Sequence, residues 1–106
     1  MFTVKIMNEF IHSPLWIYDE DSIIDEPEFI ANDARLQDLC NKVENMFSSY
    51  YEFDSHNEPC WFNDEKEKAE KNIMLKLISC IKERLAEIND GNFVVEDLET
   101  ERLKNL

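Results

Sequence analysis

The feature that most constrains the fold is a change in the spacing of apolar residues along this 106-residue chain. Near the N-terminus Phe2, Val4 and Ile6 alternate with Thr3 and Lys5, which is the period of a half-buried strand. From about residue 33 onward, apolar residues recur every three or four positions, which is the period of an amphipathic helix. The chain therefore begins as a sheet and continues as helices.

Three further segments have the composition of short strands. Residues 15–18, rich in β-forming residues, follow the break at Pro14, so a hairpin with the first strand is the economical connection. Ile23 and Ile24 form a possible additional short strand that ends before Pro27. Residues 93–95 are the last apolar, β-branched run and are predicted to be another strand.

Two long helices are predicted, over residues 33–51 and 64–88. Asn32 or Asp33 would cap the first helix, and Asp64 followed by Glu67 resembles a capping box for the second. Gly91 can take the left-handed conformation that ends a helix. The second helix would be about 37 Å long at ~1.5 Å per residue. We therefore expect its polar first turns to project, or the helix to begin later.

These elements define the predicted fold class. The order β-β-α-α-β gives an α+β fold, in which a small antiparallel sheet of about three strands packs against two main helices. A chain of this length has no room for a second core, so residues 1–106 are expected to form a single domain. The tail from residue 99 is either a short helix or frayed.

Acidic residues restrict the possible partners. The chain has 24 Asp and Glu against 11 Lys and Arg, a formal net charge of −13. Nucleic acids and anionic membranes attract clustered cations, so neither is expected as a partner. The N-terminal residues lack the apolar run of a signal peptide, and the three cysteines form no CxxC pair. A cytoplasmic protein is the expectation.

The acidity is concentrated in the first 60 residues, which hold 13 acidic and 3 basic side chains. Its densest run follows Trp16 and Tyr18, and is either a solvated loop or a surface that faces a basic partner. In a second concentration, Tyr51 and Asp54 are expected to be exposed, whereas Phe53 is expected in the core. The candidate partner-binding residues are Trp16, Tyr18, Asp19, Glu20, Asp21, Asp25, Glu26, Tyr51, Glu52 and Asp54.

Catalytic and metal-binding chemistry has little support in the sequence. Residues 54–56 contain Asp, Ser and His, but adjacency in sequence is not triad geometry. His56 and Cys60 would supply only two of the four ligands of a structural zinc site. The acidic run lacks the glycine and glutamate of a calcium loop, and Gly91 is the only glycine, so no phosphate-binding loop can form. We expect no enzyme activity, no cofactor, no metal ion and no small-molecule substrate.

Three segments carry a resemblance to a known class of proteins. They are FTVKIMNEF with PLWIYDEDSII, MFSSYYEFDSHNEPCWFNDEKEKAEK, and EINDGNFVVEDLETERL. Together they resemble the immunity proteins of bacterial contact-dependent growth inhibition systems, the toxin inhibitors of polymorphic toxin systems. The resemblance lies in the overall pattern of residues in these segments, and no motif of the class assigns roles to individual residues.

The resemblance implies a cognate partner. It would be the toxic C-terminal domain of a large surface-delivered protein, often a nuclease, bound one to one in the bacterial cytoplasm. A nuclease presents Lys and Arg to phosphates, so an acidic inhibitor would compete for that field and associate quickly. The alternative is an acidic adaptor or regulatory subunit without a toxin, which could use the helix face between residues 74 and 88 to bind a partner helix.

Overall fold

A computed structural model of the chain describes residues 2–20, 22–53 and 60–106. Along the chain the elements are β1 (Phe2–Ile6), β2 (Leu15–Asp19), β3 (Ser22–Ile24), α1 (Glu28–Ala31), α2 (Ala34–Ser48), β4 (Tyr51–Glu52), β5 (Trp61–Phe62), α3 (Asp64–Ile88), β6 (Phe93–Asp97) and α4 (Thr100–Lys104). The α+β class and the two main helices are as predicted. Among the described residues, none of the helices combines the length and the apolar character needed to span a bilayer.

The main sheet has four strands in the order β3-β2-β1-β6. β1 and β2 form the predicted antiparallel hairpin, and β3 adds antiparallel to β2. β6, however, pairs parallel to β1, so the expectation of an antiparallel sheet is wrong for this strand, whereas the expected count of about three strands is roughly matched by four. The direction of β6 depends on where α3 delivers the chain, and local periodicity carries no information about that.

A second, two-stranded sheet forms between the two main helices, in a segment for which no strand was predicted. β4 and β5 pair antiparallel, with Tyr51 opposite Phe62 and Glu52 opposite Trp61. Residues 54–59, which connect the two strands, lie outside the described residues. The pairing fixes both ends of this connection beside the helices.

The helix ends confirm one predicted cap and correct two others. Asp33 caps α2, its carboxylate accepting a hydrogen bond of 2.8 Å from the Leu36 backbone N–H. α3 begins at Asp64 as predicted, but its cap is Asn63, whose side-chain oxygen accepts from the Lys66 N–H at 3.0 Å. Gly91 has a positive φ of 97°, yet it lies beyond the residue after the C-cap and serves the turn into β6.

α4 covers the polar first turns of α3, which explains how so long a helix fits. Glu67 is buried and accepts a hydrogen bond of 2.8 Å from Nη2 of Arg102, and Nε of Arg102 donates to Glu99 at 2.6 Å. Lys71 Nζ donates to the backbone oxygen of Leu106 at 3.2 Å. The expectation that these turns project, or that the helix begins later, is therefore wrong.

The core lies between one face of the sheet and the helices. Because side chains alternate across a strand, the buried residues of β1, β2 and β6 share one sheet face. The buried residues are Val4, Ile6, Leu15, Ile17, Ile30, Leu36, Cys40, Val43, Phe47, Tyr50, Met74, Ile78, Ile81, Leu85, Phe93 and Leu103. The apolar helix face between residues 74 and 88 therefore packs in this core, so it is not accessible to a partner helix.

Candidate functional site

The sheet face opposite the helices presents a mixed aromatic and charged surface. The strand registers align Ile23, Tyr18, Thr3 and Val94 in one row, and Trp16, Lys5 and Glu96 in the next. We call these seven residues the outer sheet face. Ile23 is 60% exposed and Val94 48%, so this face is open to solvent at both of its edges. An open apolar surface with a charged border is the anatomy of a protein interface.

Trp16 and Tyr18, two of the predicted residues, form the centre of the outer sheet face. Both are half-buried, and Trp16 Nε1 donates a hydrogen bond of 2.9 Å to the backbone oxygen of Met7. The imidazole of His12 stacks on the Trp16 indole, with ring centroids 3.9 Å apart. Lys5 Nζ lies 4.6 Å from the Tyr18 ring centroid. These contacts hold both aromatic side chains in place, so they are preorganised for a partner.

Asp25 and Glu26 join Trp16 at the edge of the sheet. β3 pairs with only part of β2, and a cleft of about 380 Å³ opens beyond the end of β3. Trp16, His12, Asp25 and Glu26 all line this edge cleft. Glu26 is partly buried and accepts a hydrogen bond of 3.3 Å from Gln37 Nε2, whereas Asp25 is exposed. The cleft can therefore present carboxylates beside an aromatic wall.

Asp19 and Glu20 lie at the opposite end of β2, where the chain turns into β3. Both are exposed, and Glu20 has a positive φ of 55° that the tight turn imposes. Glu20 borders a second cleft, of about 370 Å³, together with Tyr18, Lys5 and Glu96. Asp21, predicted with them, lies outside the described residues. The structure thus places Trp16 and Tyr18 on the outer sheet face and Glu20 at its border. Asp25 and Glu26 lie at the edge cleft. Asp19 falls, by alternation along β2, on the helix side of the sheet.

Tyr51 and Glu52 lie apart from that face, on β4. Tyr51 is partly buried against Phe47 and Phe62, and burial raises the pKa of its hydroxyl above its usual value. The expectation that Tyr51 is exposed is therefore wrong. Glu52 is also partly buried and accepts a hydrogen bond of 2.6 Å from Asn63 Nδ2, so it ties the short sheet to the start of α3. Asp54 lies outside the described residues.

Phe53 reverses its expected environment. It was predicted to be in the core, but it is 58% exposed and lies just beyond the end of β4 at Glu52. Trp61 and Phe62 are partly buried, and Phe62 packs against the core cluster. Tyr51 is thus packed where exposure was expected, and Phe53 is exposed where burial was expected; hydrophobicity alone does not distinguish the two.

Sequence reasoning missed several residues of the outer sheet face. The alternation of β1 and β6 was visible, and it would have placed Thr3, Lys5 and Glu96 on the outward side. Only the parallel pairing of β6 with β1 brings Val94 and Glu96 beside them. Ile11, which is 70% exposed and has a positive φ of 49°, had no sequence signal at all.

The described residues add no support for a metal site or for a catalytic site. No group of three or more His, Cys, Asp or Glu side chains in residues 2–20, 22–53 and 60–106 could hold a metal ion. Cys60 is exposed, and His56, its proposed partner, lies outside the described part of the chain. Comparison of the chain with models of known protein families, with curated proteins and with solved structures gave no match.

Proposed function

We propose that this chain is an immunity protein that binds a cognate toxin domain, a basic nuclease, and neutralises it by covering its active-site region. The observation that carries the proposal is the open outer sheet face, where Trp16 and Tyr18 are held in place and carboxylates border them. The resemblance of the sequence to immunity proteins supplies the class of partner. The protein would act one to one in the bacterial cytoplasm, without cofactor or metal.

The charge distribution supports a basic partner. Asp19, Glu20 and Asp25 are exposed at the two ends of β2 and β3, and Glu96 is exposed on the neighbouring edge strand. Lys5 is the single cation of the outer sheet face, and it is held against Tyr18. A field of this sign raises the association rate with a cationic surface by steering the encounter.

The aromatic residues would supply the lasting affinity. Tyr and Trp are enriched at the energetic centre of protein interfaces because each buries a large rigid surface and keeps a polar atom for hydrogen bonding. Trp16 already has its indole N–H satisfied by Met7, so burying its ring against a partner leaves no unpaired donor. The Tyr18 ring borders the second cleft, where a partner side chain has room to enter.

Inhibition would require only that this protein occupies the active-site region of the nuclease. A nuclease must bring Lys and Arg to the phosphates of its substrate, and an acidic protein seated on those cations excludes the nucleic acid both by volume and by charge. No chemical step by the inhibitor is required. The edge cleft is where we place the deepest contact, because Asp25 and Glu26 there lie beside the Trp16 ring.

The first experiment tests the partner itself. An immunity gene lies immediately downstream of its toxin gene, so the C-terminal domain of the upstream product is the probe. We expect it to co-purify with this chain one to one and to lose nuclease activity on mixing. If the purified domain neither binds nor is inhibited, the proposal is wrong, and an acidic adaptor becomes the better interpretation.

The second experiment tests the surface by charge reversal. Asp25→Lys with Glu20→Lys should weaken binding by at least about tenfold, mainly through a slower association rate. The matched control is Glu83→Lys with Glu101→Lys, which changes two exposed carboxylates on α3 and α4. Glu99 is unsuitable as a control, because it is buried against Arg102. Equal effects of the two double variants would show that the outer sheet face is not the interface.

A further inference from the structure

The connection between β1 and β2 ends in an apolar tip that the outer sheet face does not include. Glu9 and His12 form an isolated bridge, which leaves Phe10 and Ile11 as the two residues of a tight turn. The Ile11 side chain is 70% exposed, the largest exposed fraction among the exposed large hydrophobic residues described. Phe10, the residue before Ile11, lies near Phe53, with ring centroids 5.8 Å apart, and Phe53 is itself 58% exposed.

The backbone at Ile11 is in an unfavourable conformation. Its φ of 49° falls in the left-handed region, where a β-branched side chain is a genuine outlier, because Cβ crowds the carbonyl oxygen. Glycine or asparagine would be the ordinary residue there. Burial among the described residues does not explain an isoleucine at this position, since Ile11 is mostly exposed. Backbone strain of this kind clusters at functional sites, where the surrounding structure enforces it.

The tip is held rigidly despite its exposure. The Ile11 backbone N–H donates to Ser48 Oγ at 3.0 Å, which fixes the turn to the last residue of α2. The Phe10 ring packs on Tyr51 with centroids 4.6 Å apart. A side chain presented in this way loses little conformational freedom when it binds.

The surroundings of the tip are negative. Glu9 precedes it and is exposed, Glu44 lies one helical turn before Ser48, and the last turn of α2 contains no basic residue. The C-terminal end of a helix adds a partial negative charge. Lys66 is a cation that reaches this helix end, where it donates to Ser49 Oγ at 3.2 Å. An apolar side chain within a negative border complements an apolar pocket bordered by cations.

We infer that Ile11 is an apolar anchor that enters a pocket of the toxin domain flanked by Lys or Arg, beside the contact made by the outer sheet face. The inference rests on the proposed function, because it takes the same basic protein as its partner. It adds a specific residue and a distinct role. The carboxylates steer the encounter and so govern the association rate, whereas a seated anchor slows dissociation.

The test compares two exposed isoleucines by kinetics of binding to the purified toxin domain. Ile11→Ala should raise the dissociation rate, and with it the Kd, by about tenfold or more. Ile73→Ala, which removes an isoleucine 58% exposed on α3, should change the Kd by less than about twofold. The association rate of both variants should stay close to that of the parent protein.

A third variant separates binding from folding. Ile11→Gly relieves the backbone strain, so it should melt no lower than the parent protein, yet bind as weakly as Ile11→Ala. Binding of Ile11→Ala and Ile11→Gly at the parental Kd would overturn the anchor while leaving the proposed function intact. Failure of the parent protein itself to bind the toxin domain would overturn the proposed function, and the anchor with it.

Discussion

Arg102 is the cation of a buried network with Glu67 and Glu99, so its removal should damage the fold. Its guanidinium donates to both oxygens of Glu67, at 3.2 and 2.8 Å, and to Glu99 at 2.6 Å. The side chains of these two glutamates are only 3% and 5% exposed, whereas that of Arg102 is 39% exposed. Glu99 also accepts a hydrogen bond of 2.7 Å from the Asn8 N–H, so the network supports the connection that carries Ile11. We predict that Arg102→Met leaves two buried carboxylates without their cation.

The size of the effect follows from these burials. Removing one partner of a buried ion pair costs about 3–5 kcal/mol, because the remaining charge stays desolvated. Water reaches the partly exposed guanidinium, so we take the lower end, about 3 kcal/mol. For a domain of this length that corresponds to a fall of about 12–24 °C in Tm. It is a large part of the ~5–15 kcal/mol by which small domains are stable.

Thermal unfolding followed by circular dichroism measures the effect. Lys104→Met is the matched control, because it removes an exposed cation from the same helix and should shift the Tm by no more than a few degrees. The triple variant Arg102→Met with Glu67→Leu and Glu99→Gln should recover most of the loss, since it removes the buried charges and keeps an acceptor for Asn8. If Arg102→Met and Lys104→Met melt together, the buried network does not stabilise the fold as argued.

The remaining predictions concern acid stability, thiol reactivity and salt. Hydrogen bonds from Arg84 hold the pKa of Asp33 below its usual range, so its contribution to stability is present above about pH 4 and is lost as the pH falls through the lowered pKa. Asp33→Asn should therefore melt at a lower temperature at neutral pH, and its Tm should fall less steeply as the pH is lowered below about 4. An acid dependence of the Tm equal to that of the parent protein would contradict this. Burial raises the pKa of the Cys40 thiol to about 12, so a maleimide at pH 8 should modify exposed Cys60 first, half-buried Cys80 next and Cys40 last, as read by mass spectrometry; equal rates for Cys40 and Cys60 would refute the burial. Raising the ionic strength from about 0.01 to 0.15 M should slow association with the toxin domain by about tenfold while dissociation changes little, and a salt-independent association rate would exclude steering.

Prediction from sequence succeeded where local periodicity decides the outcome. The second helix was predicted over residues 64–88, and α3 spans Asp64–Ile88, because its apolar positions recur at helical spacing within the segment. The hairpin of β1 and β2 followed from two short β-forming runs separated by Pro14. For the candidate site, Trp16 and Tyr18 share the outward side because they stand two apart on one strand.

Prediction failed where partners are distant in sequence. The burial of Glu67 depends on Arg102, 35 residues later, and no pattern around residue 67 distinguishes it from its exposed neighbours. Similarly, Asp33 could be recognised as a helix cap, but its ion pair with Arg84 spans 51 residues. Tyr51 is packed because the pairing of β4 with β5 sets it against Phe62 and Phe47, whereas Phe53 lies beyond the end of β4.

By itself, the sequence determined the types of the two long helices and of the longer strands, the acidic character of the first 60 residues and the aromatic residues beside it, because each is a property of composition or of short-range spacing. Only the tertiary structure decided the parallel direction of β6, the outer sheet face with its edge cleft, and the strained exposure of Ile11. These depend on how helices return the chain to the sheet and on backbone angles at one turn. Such terms arise from contacts between residues far apart in sequence, which is why the surface that a partner would meet emerges only in the folded chain.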